Sequence, residues 1–182
     1  MNTFLIILFI ILIILISSGI IYITLYNKIN DIIIRVNEVE NRIDNNLRDK
    51  YDLLNKTATL YKSKIDIDDK TFNTLSRLKS KKMSSFDFDR VLVDIENNFL
   101  TIYENNKELR ESDEIYKTQK KLEIITEELV TLRNYYNINI ATYNKMIKKF
   151  PTLIIAMIKK YKEKPFYDLK NMNDDNYEDF KL

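Results

Sequence analysis

"RNYYNINIATYNKMIKKFP", Arg133 to Pro151, sets an aromatic–amide pair at Tyr136-Asn137, repeats it at Tyr143-Asn144, and closes on Phe150-Pro151. Positions seven apart fall on one face of a helix, so Tyr136, Tyr143 and Phe150 share a face. Asn137 and Asn144 stand one position round, at its edge. Two readings are open. The face is a packing seam with large rings inside and amides at the rim, or it is a strip that receives a ligand or partner. Spacing favours the seam, which predicts that Tyr136, Tyr143 and Phe150 are core residues.

The same periodicity extends upstream through Ile115, Leu122, Ile125, Leu129, Leu132, Ile140 and Ile147, so this is the longest helix of the soluble part. Ser112 is its expected N-cap, with Asp113 and Glu114 at the positive end of the helix dipole. Pro151 lacks an N–H and kinks or ends the helix. "TLIIAMIKKY" restarts as a short helix, which Pro165 stops. Residues 166–182 are polar, carry Asp174, Asp175, Glu178 and Asp179, and read as a loose tail.

Earlier segments are helical by the same test. Ile29, Ile33, Val36, Ile43, Leu47, Leu54, Ala58 and Tyr61 form a stripe, interrupted at Glu40 and ending near Ser63. Asp66 to Asp69 is a polar break. A short helix follows, with Thr71 as N-cap and Phe72, Leu75 and Leu78 inward. Lys79 to Ser85 is a loop. A third helix starts near Ser84 or Ser85 and buries Phe88, Val91, Leu92, Ile95, Phe99 and Ile102. Glu104 to Ser112 is a turn region. Val39, Val93, Ile138 and Ile155 fall off these stripes and are candidates for an exposed apolar patch.

The N-terminus differs in kind. "FLIILFIILIILISSGIIYITLY", Phe4 to Tyr26, carries no charge and is long enough to cross a bilayer. A cleaved signal peptide would show a basic start and a shorter apolar run. Met1-Asn2-Thr3 carries no side-chain charge, and apolar residues continue past Ser17-Ser18-Gly19, so a retained anchor is the better reading. Lys28, Arg35 and Arg42 follow it, and by the positive-inside rule they put the N-terminus outside and the soluble part in the cytoplasm. Tyr22 and Tyr26 fit an interfacial aromatic belt.

Composition narrows the chemistry. The 182 residues include no Cys, no His, no Trp and a single Gly, and the net charge is +2. Near-neutral charge argues against nucleic acid as a partner. A chain almost without Gly is poorly suited to hairpins or phosphate-cradling loops and well suited to helices. Without Cys and His, thiol and Ser-His chemistry are excluded and a zinc site is hard to build. Asp66, Asp68 and Asp69 suggest a cation loop, but no Gly and terminal Glu continue the pattern. Glu127, Glu128 and Arg133 read as exposed helical ion pairs. No catalytic, metal or cofactor-binding residues and no small-molecule substrate are expected.

Two blocks resemble the LemA family. "YNKINDIIIRVNEVENRIDNNLRDKYDLLN" follows the anchor, with Tyr26, Asn27, Ile43, Asp44, Leu47, Tyr51, Asp52 and Leu53 at matching positions. "LRNYYNINIATYNKMIKKFPTLIIA" matches at Arg133, Tyr136, Asn137, Tyr143, Asn144, Phe150 and Pro151. The chain departs from the family pattern at Asn55-Lys56, at Glu40, at Asn106-Lys107-Glu108-Leu109 and at Thr126-Glu127. The resemblance implies a single-anchor, all-helical membrane protein without established catalytic residues, and it makes Tyr26, Asn27, Asp44, Asp52, Arg133 and the second-block residues family-motif packing positions.

The expected fold is therefore all-α: a short flank at 1–3, a transmembrane helix at 4–26, an antiparallel coiled-coil-like bundle of three to four long helices at 27–165, and the tail at 166–182. The expected function is presentation of helix surfaces at a cell membrane for protein interaction, self-association or membrane organisation. A regulator of another membrane protein, such as a protease or transporter, is the alternative. So is a lipid-surface role for the basic segment 145–164, where Lys145, Lys148, Lys149, Lys159 and Lys160 are the lipid-contacting candidates.

Overall fold

A computed structural model describes residues 3–66, 70–78 and 83–167 of the chain. Their regular structure is entirely helical, and no strand occurs among them. The elements are α1 (Thr3–Lys64), α2 (Lys70–Leu78), α3 (Ser85–Asn105), α4 (Lys107–Arg110), α5 (Asp113–Lys148) and α6 (Thr152–Lys159). The polar break at 67–69, the lysine loop at 79–82 and the tail from 168 lie outside the described residues.

The uncharged N-terminal run and the first stripe are one helix, α1, of 62 residues. Gly19 lies within it with nothing near the position a Cβ would take, so it is not needed for close packing. The apolar window of α1 is long enough to cross a membrane, and its side chains are exposed. Its hydroxyls are satisfied by the helix itself: Ser17 donates to Ile13 O at 2.8 Å, Ser18 to Leu15 O at 2.9 Å and Thr24 to Ile20 O at 2.9 Å. These back-bonds let polar side chains sit in an apolar surrounding without an unmet donor.

Further along α1 the buried positions are Ile29, Ile32, Val36, Val39, Ile43, Leu47, Lys50, Leu54, Thr57 and Tyr61. The steps are threes and fours, alternating except for two successive fours from Val39 to Leu47, close to the spacing of a heptad seam. Val39 is therefore core, not patch, and Glu40 does not interrupt the stripe. The register was hidden because Lys50 and Thr57 occupy seam positions that composition marks as polar.

Two compact units divide the chain. Among the described residues, one comprises Glu40–Tyr135 together with Tyr167. In it, Arg42 pairs with Glu128 at 3.2 Å and Lys56 with Glu114 at 3.2 Å, so α1 and α5 run in opposite directions. The Ser85 hydroxyl donates to Asp44 at 2.6 Å and the Tyr61 hydroxyl to Phe99 O at 3.2 Å, so α1 and α3 run in the same direction. Helix α2 lies between them in the chain. Tyr61 is the junction: its ring is 5.5 Å from Phe99, Phe99 is 5.1 Å from Phe72, and Gln119 donates to the Tyr61 oxygen at 2.6 Å. Burial raises the Tyr61 pKa well above the usual tyrosine range, and the Gln119 bond only partly offsets it.

Boundaries in this unit follow local chemistry. Ser84 caps α3, accepting from the Asp87 N–H at 3.2 Å and donating to the Asp87 carboxylate at 2.7 Å. Thr71 is not a cap, because α2 already begins at Lys70 and buries it. The turn region at 104–112 contains the single turn α4, pinned by fully buried Leu109.

The other unit comprises the chain to Val39 and Tyr136–Phe166. Ile29, Ile32, Val36, Val39, Tyr136, Asn139, Ile140, Tyr143, Ile147, Thr152, Ile155 and Ala156 are its buried side chains. Ile155 is thus core, while Ile138 is exposed. Phe150, expected in the core, is 79% exposed. The reason is that α5 ends at Lys148, so the heptad register no longer applies two positions on. Helix α6 ends at Lys159, well before Pro165. Lys160 closes it in the left-handed conformation (φ 54°, ψ 39°), and the Tyr161 N–H bonds back to Ala156 O at 2.9 Å. From Tyr161 to Tyr167 the chain has neither helix nor strand.

Candidate functional site

Residues 161–167 need partners for their backbone groups, since no helix or ladder supplies them. The repeated motif on α5 does so. Asn144 makes two bonds to one residue: its amide nitrogen donates to Lys164 O at 2.8 Å, and its oxygen accepts from the Lys164 N–H at 3.0 Å. The Tyr143 hydroxyl donates to Lys162 O at 3.1 Å, and that of Tyr136 to Pro165 O at 3.4 Å. On the far side, the Tyr161 hydroxyl reaches Asn30 Oδ1 on α1 at 3.4 Å. The heptad spacing places successive side chains along one helix face, and a non-helical segment lies along it. Burial raises the Tyr143 pKa, with nearby Tyr161 adding to the effect. A protonated hydroxyl is the form that donates to Lys162.

The motif is therefore both packing seam and binding strip, and the strip is occupied by the chain itself. Tyr136 and Tyr143 are buried and Asn137 and Asn144 half-buried, as rings inside and amides at the rim require.

Arg133 completes a second arrangement, in the unit that contains residues 40–135. It is not an exposed helical ion pair. Its guanidinium donates to Asp89 Oδ1 on α3 at 2.6 Å, with side-chain exposures of 8% and 0%. The Tyr167 ring lies 5.8 Å from that guanidinium and packs edge-on against Phe86 at 4.4 Å. Its hydroxyl faces Ser85 O at 3.4 Å and the Asp89 carboxylate. Burial, then the Asp89 charge, push the Tyr167 pKa far above the usual tyrosine range. Tyr167 falls in the segment expected to be a loose tail, and no role is expected of Asp89. An aromatic pair after a proline, Phe166-Tyr167, and an acid on an apolar helix face are the available signals. Glu128 pairs with Arg42 at the surface.

A second buried cation escaped the sequence too. Lys50 is fully buried and pairs with Glu96 at 2.6 Å, and Thr126 donates to the same carboxylate at 2.9 Å. Of the first-block positions, Asp44 holds Ser85, Asp52 and Asn27 are exposed, and Tyr26 stacks on Tyr22 at 6.3 Å. The basic candidates divide. Lys148 pairs with Glu163 at 2.8 Å, and Lys159 lies 5.1 Å above the Tyr26 ring. Lys145 and Lys149, with Lys28, Leu25, Ile138 and Met146, line an open groove of about 610 Å³. Pro151, in a cis bond to Phe150, also borders it. Among the described residues, no three acidic side chains are grouped to hold a metal ion.

The sequence pattern of the LemA family matches residues 39–178. The chain belongs to the LemA family. The match includes Asp44, Asp52 and every second-block residue from Arg133 to Pro151, and it begins after Tyr26 and Asn27. Within the matched range, Arg133 holds Asp89, and Tyr136, Tyr143 and Asn144 hold the backbone of Pro165, Lys162 and Lys164. Comparisons with curated proteins and with solved structures gave no match.

Proposed function

We propose that this LemA protein is a single-pass, membrane-anchored helical bundle that presents helix surfaces for protein interaction or membrane organisation, without catalysis of its own. The observation that carries the reading is the inward use of the motif. Arg133, Tyr136, Tyr143 and Asn144 bond within the protein, so their polar atoms support structure instead of converging on a substrate. The uncharged, exposed stretch of α1 supports the anchor. Lys28, Arg35 and Arg42 support an N-out orientation with the helices in the cytoplasm.

The surfaces available for partners are exposed apolar side chains on α5: Ile124, Val130 and Ile138. Photo-crosslinking in native membranes from these three positions tests the reading. A recurring membrane-protein adduct makes the chain an adaptor or regulator of that protein. Adducts to itself or to lipid alone favour a self-assembling organiser. Turnover of a small molecule by the purified full chain, abolished by one conservative substitution, would overturn the non-catalytic reading.

A further inference from the structure

Helix α6 is apolar on both sides. Thr152, Ile155 and Ala156 face inward and are buried. Leu153, Ile154, Met157 and Ile158 occupy an opposite arc of about 140° at 100° per residue, and they are 38%, 50%, 69% and 62% exposed. Phe150, immediately before the helix, is 79% exposed. Single exposed apolar side chains are ordinary, but a contiguous face of large ones on a short helix calls for a covering surface. A helix that is hydrophobic all round is buried in protein or in lipid.

The position of α6 says which. Lys159 at its end lies over the ring of Tyr26, the last residue of the uncharged run that starts at Phe4. The next residue but one, Tyr161, bonds to Asn30. Both contacts fix α6 beside the end of the apolar run, where a spanning helix passes the headgroups and where Tyr22 and Tyr26 form the aromatic belt. Lys149 and Lys160 flank the helix, and Lys145 stands in the groove beside Lys28. An apolar face at this level, bordered by cations, matches the acyl–headgroup boundary of an anionic leaflet.

We propose that α6 is an interfacial helix: its outer face, Leu153, Ile154, Met157 and Ile158, inserts into the headgroup boundary of the same leaflet that α1 leaves, and its lysines bind anionic lipid phosphates. This rests on the reading that residues 4–26 span the bilayer.

The absence of Cys makes the test direct. Single spin labels are placed on the full chain at Ile154→Cys, Met157→Cys, Ile14→Cys and Lys117→Cys, in vesicles of phosphatidylcholine with and without phosphatidylglycerol. Collision rates with oxygen and with a water-soluble nickel chelate are read. The expected result is a several-fold higher oxygen-to-nickel ratio at Ile154 and Met157 than at Lys117, rising further with phosphatidylglycerol. Lys149→Gln with Lys160→Gln should remove that rise. Nickel-accessible labels at Ile154 and Met157 beside a lipid-buried Ile14 label would overturn the inference and leave the anchor standing. Labels at α6 shielded from both reagents would show a protein cover and overturn it equally. A nickel-accessible Ile14 label would overturn the anchor reading itself. No phosphatidylglycerol dependence would overturn the role given to the lysines.

Discussion

Tyr143 and Asn144 are adjacent in the chain and hold different atoms of the same segment, so their contributions separate by substitution. Tyr143→Phe keeps the ring and loses one bond to Lys162, and should lower stability by about 1 kcal/mol. Tyr143→Ala also opens a cavity and should cost roughly 3–5 kcal/mol. Thermal melts of the full chain in micelles check both, and equal effects would mean that the ring contributes nothing to the core. Asn144→Ala removes a donor and an acceptor, for about 1–3 kcal/mol. Asn144→Asp keeps an acceptor for the Lys164 N–H, so amide exchange at Lys164 should remain slower in Asp than in Ala. Arg133→Ala strands the buried Asp89 carboxylate and should cost about 3–5 kcal/mol. Arg133→Met combined with Asp89→Leu should cost less than Arg133→Ala alone. The heptad order of the tyrosines and the rim position of the amides were legible in the sequence. The identity of their partner was not, because Lys162 to Pro165 contribute backbone atoms, which look the same for every residue type. Asp89 was hidden for a related reason: an acid on a helix face reads as solvated until a long-range partner is known.

At the scale of elements, the start of α3 was readable because it depends on local chemistry. Ser84 caps it, and Ser84→Ala should lower stability by about 1 kcal/mol, measured by the same melts. The end of α6 was misplaced at Pro165, since nothing about Lys160 announces a left-handed residue. Phe150 was misplaced with it: periodicity describes a helix only while the helix lasts. The expected α1 stripe runs through Ile33 and Ala58 and skips Val39, whereas the seam runs through Ile32, Val39, Lys50 and Thr57, the last two at positions that apolar residues usually fill. Lys50 tolerates burial through Glu96, so Lys50→Met should be far milder than Glu96→Leu, which leaves the ammonium buried and unpaired.

At the scale of the whole molecule, the scarcity of Gly and the helical spacing of apolar residues made the all-α class legible before any coordinates, and the two motif blocks made the family legible. Buried tyrosines give the molecule a shared pH response. The pKa values of Tyr61, Tyr143 and Tyr167 are raised, each chiefly by burial. Below the usual tyrosine value of about 10, folded and unfolded chains are both protonated and the contribution is complete. Above it, the unfolded chain releases protons that the folded chain retains, so stability falls as pH rises toward the folded values. Melting midpoints should hold steady at neutral pH and drop beyond about pH 10. Tyr61→Phe and Tyr167→Phe together should flatten that drop. A midpoint unchanged through strongly alkaline pH would show that these hydroxyls are not buried.

The segment from Tyr161 to Tyr167 has no regular structure, yet Tyr136, Tyr143 and Asn144 bond to it and Tyr167 lies beside Arg133 and Asp89. A nonsense codon after Lys160 would spare all six of the described helices in the gene. It would still remove the backbone partners of Tyr136, Tyr143 and Asn144, and so act as a folding mutation, whereas a stop after Tyr167 would leave those bonds intact.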